Sequence, residues 1–309
     1  GAADGMDTMD PLVTRLEEET RRRRRRPLFK YRQVPVRMLI PNFFTLVGLC
    51  AGLTAIRMAI EGRYELALAA IVFAALLDGV DGRVARLLKA SSRFGAEFDS
   101  LADFVNFGVA PAIVLFTWGS WDTPGTRGLA WIVVLLLAVA CGLRLARFNA
   151  VLDVERPKWQ SDYFSGVPAP AGAIIALLPV YLDQLGLLEV RSGWPIYFVL
   201  AYALLVAFLM VSTIPTYSGK LLGERISREW VMPMFVLVGA LVALLVTYPY
   251  ATLTIGTLLY LTHIPIAFRR YQAQMRAMED EEAQRGSQGQ SLPIPKLVVE
   301  QPRSDRMQQ

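Results

Sequence analysis

Runs of about twenty consecutive apolar residues, divided by short clusters of charge, are the feature that most narrows what this chain can become. A helix of that length crosses the ~30 Å hydrocarbon core of a bilayer with its backbone hydrogen bonds satisfied internally. Such runs occupy 39–60, 65–87, 96–118, 129–149, 166–186, 195–214, 231–248 and 250–268. The reading is an all-α, polytopic membrane helical bundle of about eight transmembrane helices, with a membrane domain over 39–270. Composition agrees, since 54% of the residues are hydrophobic even with glycine left out, against about 45–50% with glycine counted in soluble domains. Only Tyr248-Pro249-Tyr250 separates the last two runs. It reads as a helix-breaking turn at an interface, and a seven-span count is the alternative.

The net charge of +5 does not call for nucleic acid, because the basic residues flank the apolar runs instead of covering a separate polar domain. With the N-terminus placed in the cytoplasm, Arg83, Arg86, Lys89 and Arg93, then Arg144, Arg147, Arg156 and Lys158, then Lys220, Arg225 and Arg228 all fall inside. The outer loops keep little beyond Arg63, Arg127 and Arg191. This is the positive-inside asymmetry, and eight spans place both termini in the cytoplasm. Residues 1–27 form a polar, basic tail whose run Arg21 to Arg26 suits anionic lipid or topology. Gly1 to Gly5 read as a remnant of cloning ahead of Met6, and no cleavable signal peptide is visible. Residues 28–38 mix apolar and basic side chains as an interfacial segment, and 271–309 read as a disordered cytoplasmic tail. Cys50 and Cys141 are the only cysteines. Both lie in apolar runs and are expected to pack there, which leaves no basis for a disulfide framework or a thiolate metal site.

Four aspartates stand out against this background. Asp78 and Asp81 lie near the inner end of the second span, Asp99 and Asp103 near the inner start of the third. Residues three and four apart share a helix face, so each pair points one way. The short turn between the spans makes the helices antiparallel neighbours whose carboxylate faces can converge. Each aspartate at mid-membrane costs ~2.5–3.5 kcal/mol on an insertion scale, so the four need a cationic partner. Oxygen ligands select hard cations, and two divalent ions would balance four carboxylates while leaving positions for phosphate oxygens. That is a two-metal phosphoryl-transfer arrangement. Gly82, Ala85 and Gly95 give room for a ligand to approach the backbone, and Arg86 offers a planar phosphate donor. The plainer reading of these small residues is close helix packing.

Together the residues spell Asp-x2-Asp-Gly-x2-Ala-Arg-x8-Gly-x3-Asp-x3-Asp from Asp78 to Asp103, and this pattern resembles the signature of the CDP-alcohol phosphotransferase family in full. The resemblance implies a helical membrane fold, commonly a homodimer, with a cavity open to the cytoplasm holding two divalent cations, Mg2+ or Mn2+, and a CDP-linked lipid. It implies that Asp78, Asp81, Asp99 and Asp103 ligate metal, with Asp103 also the general base. Gly82, Ala85, Arg86 and Gly95 would line the CDP site. Pro41-Asn42-x2-Thr45 resembles the entry to the family's first span, which adds Asn42 and Thr45 to that site. A bacterial inner membrane suits the resemblance.

Further stretches are similar to the serine-using members of the family: Asp99 to Ala112, Leu143 to Asn149 and Phe164 to Ala171. They imply CDP-diacylglycerol and L-serine as substrates, with phosphatidylserine and CMP as products. Asn106 stands where many relatives have serine, and is expected near the acceptor. A carboxylate-bearing acceptor needs a cation in the cavity, for which Arg144 and Arg147 are the candidates; ordinary positive-inside anchoring is the alternative for both. His263 reads as a packing or interfacial residue, and Asp183 and Glu189 as outer-boundary groups without a catalytic part. Two rivals remain. One is the same chemistry on glycerol 3-phosphate, an inositol phosphate or choline; the other is a cation or proton transporter using the aspartates as its pathway, which would transport without releasing CMP.

Overall fold

The computed structural model describes residues 39–88, 92–121, 123–151, 163–189, 194–212, 215–217 and 228–287. The expectations for the basic tail and the interfacial segment 28–38 lie outside these residues. In chain order the helices are α1 (Leu39–Ile60), α2 (Tyr64–Leu87), α3 (Arg93–Asp103), α4 (Ala110–Trp118), α5 (Pro124–Val151), α6 (Ala169–Ala176), α7 (Leu178–Gln184), α8 (Trp194–Val211), α9 (Arg228–Thr247) and α10 (Pro249–Ser287). A six-residue π-helical turn, Phe104–Val109, joins α3 to α4.

The eight expected runs therefore correspond to eight helical stretches among the described residues. Five are long and apolar enough to cross a membrane: Leu39–Ile60, Arg93–Trp118, Pro124–Ala150, Trp194–Val211 and Pro249–Arg270. The molecule is a polytopic membrane helical bundle. The other three fall short of that measure for different reasons: α2 carries Asp78, Asp81, Arg83 and Arg86 in its last turns, α6 and α7 break at Leu177, and the apolar part of α9 covers only Met232–Thr247. One boundary needs correction. The chain does not leave the helix at 271, because α10 continues to Ser287. Its extension is rich in alanine, glutamine, methionine, glutamate and arginine, all good helix formers, so polarity there did not mean loss of structure.

Small residues let α1 and α2 approach closely. Gly48, Ala51, Gly52 and Ala55 are buried on α1, and Ala67, Ile71 and Ala74 on α2. This contact is the most extensive between any two described elements. The core continues through Phe107, Val114, Cys141, Val180 and Tyr181. Outward-facing Phe43, Leu136, Phe198, Phe208 and Phe235 stay exposed, as suits a chain whose solvent is hydrocarbon. Cys141 packs inside as expected, whereas Cys50 faces out of the bundle.

Polar ties hold the ends. Tyr64 donates to the Thr117 carbonyl at 2.6 Å, and Trp118 Nε1 donates to Asp183 at 3.0 Å. Asp183 is thus a structural acceptor. Two three-residue strands, β1 (Tyr163–Ser165) and β2 (Pro215–Tyr217), pair antiparallel with Phe164 opposite Thr216, a small addition to an otherwise helical fold. At Gly166, φ is +79°, and a Cβ would press on the carbonyl oxygens of Ser212 and Met210 at the end of α8. Both the conformation and the space select glycine.

Candidate active site

The site forms where α1, α2 and α3 meet. Ser92 caps α3, its Oγ accepting from the Gly95 N–H at 2.9 Å, which fixes where the helix begins and so which way Asp99 and Asp103 point. Carboxylate oxygens of Asp78, Asp99 and Asp103 come within 4.8 Å of one another. Asp81, buried one turn along α2, accepts at 3.0 Å from Thr45 Oγ1 on α1. The same hydroxyl lies 3.2 Å from the Pro41 carbonyl, so its single proton is shared between two acceptors.

Two spaces adjoin these carboxylates. An open cleft of about 180 Å³ is lined by Asn42, Thr45, Asp81, Gly82, Ala85, Gly95 and Asp99, with Pro41, Ser92 and Ala96. Beneath it a void of about 10 Å³ is bounded by Thr45, all four aspartates and Asn106. That volume is at the lower limit for one water molecule. Hard, anionic oxygen donors around so small a space fit a divalent cation, and the open cleft above them leaves room for a phosphate-bearing ligand.

The π turn explains how Asn106 arrives there. The Ala110 N–H bonds the Val105 carbonyl, five residues back, and the widened turn carries Asn106, Phe107 and Gly108 inward. Asn106 is 3% exposed, with Oδ1 buried and unpartnered among the described residues. Arg144 on α5 lies within electrostatic reach of Asp103 and Asp78, and its Nε is likewise buried without a partner.

Most of the residues singled out from sequence are thus brought together. Two are not. Arg86 is exposed on the last turn of α2 and does not line the cleft; it follows Ala85 by one residue, about 100° around the helix. Arg147 donates from Nη1 to the Val211 carbonyl at 2.6 Å, tying α5 to the end of α8. Ser92 and Ala96 were missed. A serine three residues ahead of Gly95 is a legible cap signal, while nothing in the sequence marks Ala96. Asn149 was also missed as a support: its Nδ2 donates to Ser100 Oγ at 2.9 Å, bracing α3 beside Asp99.

The profile of the family described as CDP-alcohol phosphatidyltransferase matches residues 38–214, which contain every one of these site residues. The chain belongs to the CDP-alcohol phosphatidyltransferase family. A second profile, CDP-alcohol phosphatidyltransferase 2, matches residues 229–265, over α9 and α10. The CDP-diacylglycerol–serine O-phosphatidyltransferase of Mycobacterium leprae is 42% identical over 234 residues, 74% of each chain. The protein of the same name from Helicobacter pylori is 34% identical over 225 residues, 73% of this chain and 89% of the relative. That from Methanocaldococcus jannaschii is 32% identical over 196 residues, 63% of this chain and 81% of the relative. In this CDP-alcohol phosphatidyltransferase the aspartates of the signature are the carboxylates that meet below the cleft.

Proposed function

We propose that this chain transfers the phosphatidyl group of CDP-diacylglycerol to the hydroxyl of L-serine, giving phosphatidylserine and CMP. The observation that carries the reading is the convergence of Asp78, Asp99 and Asp103 beneath a cleft lined by Asn42, Gly82, Ala85 and Gly95, together with relatives that bear the name of this activity.

The nucleotide end of the donor occupies the cleft, where small side chains admit it close to the helix backbones. Two divalent cations, Mg2+ or Mn2+, held by Asp78, Asp81, Asp99 and Asp103, would supply charge neutralisation of the pyrophosphate. Thr45 holds Asp81 in place through its hydroxyl. The Asp103 carboxylate takes the proton of the serine hydroxyl. The serine oxygen forms a bond to the lipid-side phosphorus, the bond from that phosphorus to the bridging oxygen breaks, and the electron pair leaves with CMP. Arg144 faces the serine carboxylate, and Asn106 Oδ1, an acceptor with no partner among the described residues, suits the serine ammonium. General-base help is worth ~10²–10⁴-fold, so positioning supplies the larger share of the acceleration.

The setting belongs to the same proposal. The positive-inside pattern of the sequence supports a cytoplasmic setting for both termini and the cleft, at a bacterial inner membrane, and the same reading has the protein work as a homodimer. Serine is tested by CMP release from purified protein with CDP-diacylglycerol and Mg2+ or Mn2+, comparing serine with glycerol 3-phosphate, inositol phosphate and choline. Release that requires serine and metal is the expected result. Release with another acceptor overturns the assignment of serine, and ion transport without CMP release overturns the enzyme reading itself.

A further inference from the structure

The stretch from α3 through the π turn meets α5 in antiparallel order, at three points four residues apart on the first partner. A Cβ at Gly108 would lie 3.1 Å from Cys141 Cβ. Phe104 closes on Gly142, where a Cβ would lie 3.2 Å from its ring. One turn nearer the start of α3, Asn149 Nδ2 donates to Ser100 Oγ at 2.9 Å.

These contacts constrain the two helices in different ways. At Gly108 and Gly142 the spacing is set by atoms already touching, and close-packed interiors yield little. Beyond Phe104 the packing thins, for α5 lies closely on the π turn and far less on α3. The Asn149–Ser100 bond is the one side-chain hydrogen bond between α3 and α5 among the described residues. Its direction is fixed at the serine: the single hydroxyl proton goes to the Ala96 carbonyl at 3.1 Å, which leaves the oxygen to accept from the amide.

Two charges proposed for catalysis lie beside this tie. Asp103 is three residues from Ser100, about 4.5 Å along α3, and Arg144 is five from Asn149, about 7.5 Å along α5. Arg144 and Asp103 are in electrostatic reach of each other. With Arg144 on the serine carboxylate and Asp103 taking the hydroxyl proton, the span between them has to match the acceptor. Serine places two carbons, Cα and Cβ, between those groups, and homoserine places three.

We infer that the Asn149–Ser100 hydrogen bond sets this span, which makes Asn149 a positioning residue that selects serine over acceptors with a longer chain. The inference rests on the proposed reading of serine as acceptor and on the places given there to Arg144 and Asp103, and it adds what fixes the distance between them. Asn149 acts through Ser100 on the position of α3, not on the substrate.

The test follows CMP release by full-length protein in detergent, with CDP-diacylglycerol and Mg2+, using L-serine and L-homoserine as acceptors. Wild type is compared with Asn149→Ala, Ser100→Ala and the double variant. Alanine favours the helix at both positions, and each single variant removes the same bond from opposite sides, so either one decides the matter if the other fails to fold. Wild type is expected to prefer serine by about ten-fold or more, the usual discrimination of one methylene. Each single variant should lower kcat/KM for serine about ten-fold, part of the 10²-fold that a ~1 Å misplacement can cost. Each should also cut the preference over homoserine about five-fold, with the KM for CDP-diacylglycerol near wild type. The double variant should be no worse than either single one, since one bond is lost once.

A lower Tm with unchanged kcat/KM and unchanged preference would make the tie structural only and overturn the inference. Wild-type behaviour in Ser100→Ala beside a loss in Asn149→Ala would overturn it too, by placing Asn149 on the substrate itself. Wild type without serine-dependent CMP release removes serine as acceptor and the inference with it; wild type that uses serine, with variants of unaltered preference, removes the inference alone.

Discussion

Adding one methyl group at Gly52 should damage catalysis far more than stability. Gly52 is buried on α1 opposite the π turn, and a Cβ there would overlap Asn106 Oδ1 and come within 3.1 Å of the Asn106 Cα. The amide can rotate, but the backbone contact requires the π turn to move away from α1 by a few tenths of an ångström. Overpacking of this kind costs about 1–3 kcal/mol. Replacing a mid-helix glycine by alanine returns about 0.8–1.0 kcal/mol. The net loss of stability for Gly52→Ala is therefore about 0–2 kcal/mol, small enough for the protein to be purified. Asn106, however, lies three residues beyond Asp103 on a continuous helical backbone, so the shift reaches the proposed general base, and a misplacement of ~1 Å can cost 10²-fold. A fall of about ten-fold or more in kcat/KM for serine is expected. Gly239→Ala is the control: its Cβ would meet nothing within 4 Å on α9, away from the site, so it should retain activity and gain a little thermal stability. Wild-type kcat/KM in Gly52→Ala, or equal losses in both variants, would refute the argument that α1 and the π turn meet without slack.

Asp103→Asn should abolish turnover while CDP-diacylglycerol binding partly survives; turnover within ten-fold of wild type (roughly the low end of general-base help) would remove Asp103 as the base. Thr45→Val removes a hydrogen bond to a carboxylate, worth about 1.5–3 kcal/mol, and should show as a higher metal concentration for half-maximal activity, with circular dichroism unchanged. The two arginines should separate. Arg147→Ala should lower the apparent Tm through loss of the Val211 tie and leave the KM for serine near wild type, whereas Arg144→Ala should raise that KM at least ten-fold (roughly one charged hydrogen bond); the reverse pattern would exchange their roles.

The parts of this molecule that were legible in sequence are those set by composition over a whole helix turn or more. Twenty-residue apolar runs fixed the number of helical stretches because a bilayer leaves few alternatives. The aspartates at spacings of three and four were legible as two faces, and their convergence followed from the short turn between α2 and α3. Interruptions inside a run were not. Nothing in Phe104-Val105-Asn106-Phe107-Gly108-Val109 departs from an apolar helix, yet one wider turn there decides that Asn106 faces the carboxylates. Arg144 and Arg147 look equivalent by spacing, and only the position of the end of α8 reveals that Arg147 is spent on a carbonyl. Arg86 belongs to the signature but lies past the rim of the cleft, a matter of a single residue step around α2. The polar stretch beyond 270 was misjudged for the opposite reason, since helix propensity without an apolar face still makes a helix.

The central claim is tested most directly by reconstituting the purified protein with CDP-dioleoylglycerol and 15N-labelled serine and following CMP and labelled phosphatidylserine together. The account predicts the two products in equal amounts, both abolished by a chelator and by Asp103→Asn. CMP without labelled phosphatidylserine, or labelled lipid formed at an undiminished rate by Asp103→Asn, would contradict it.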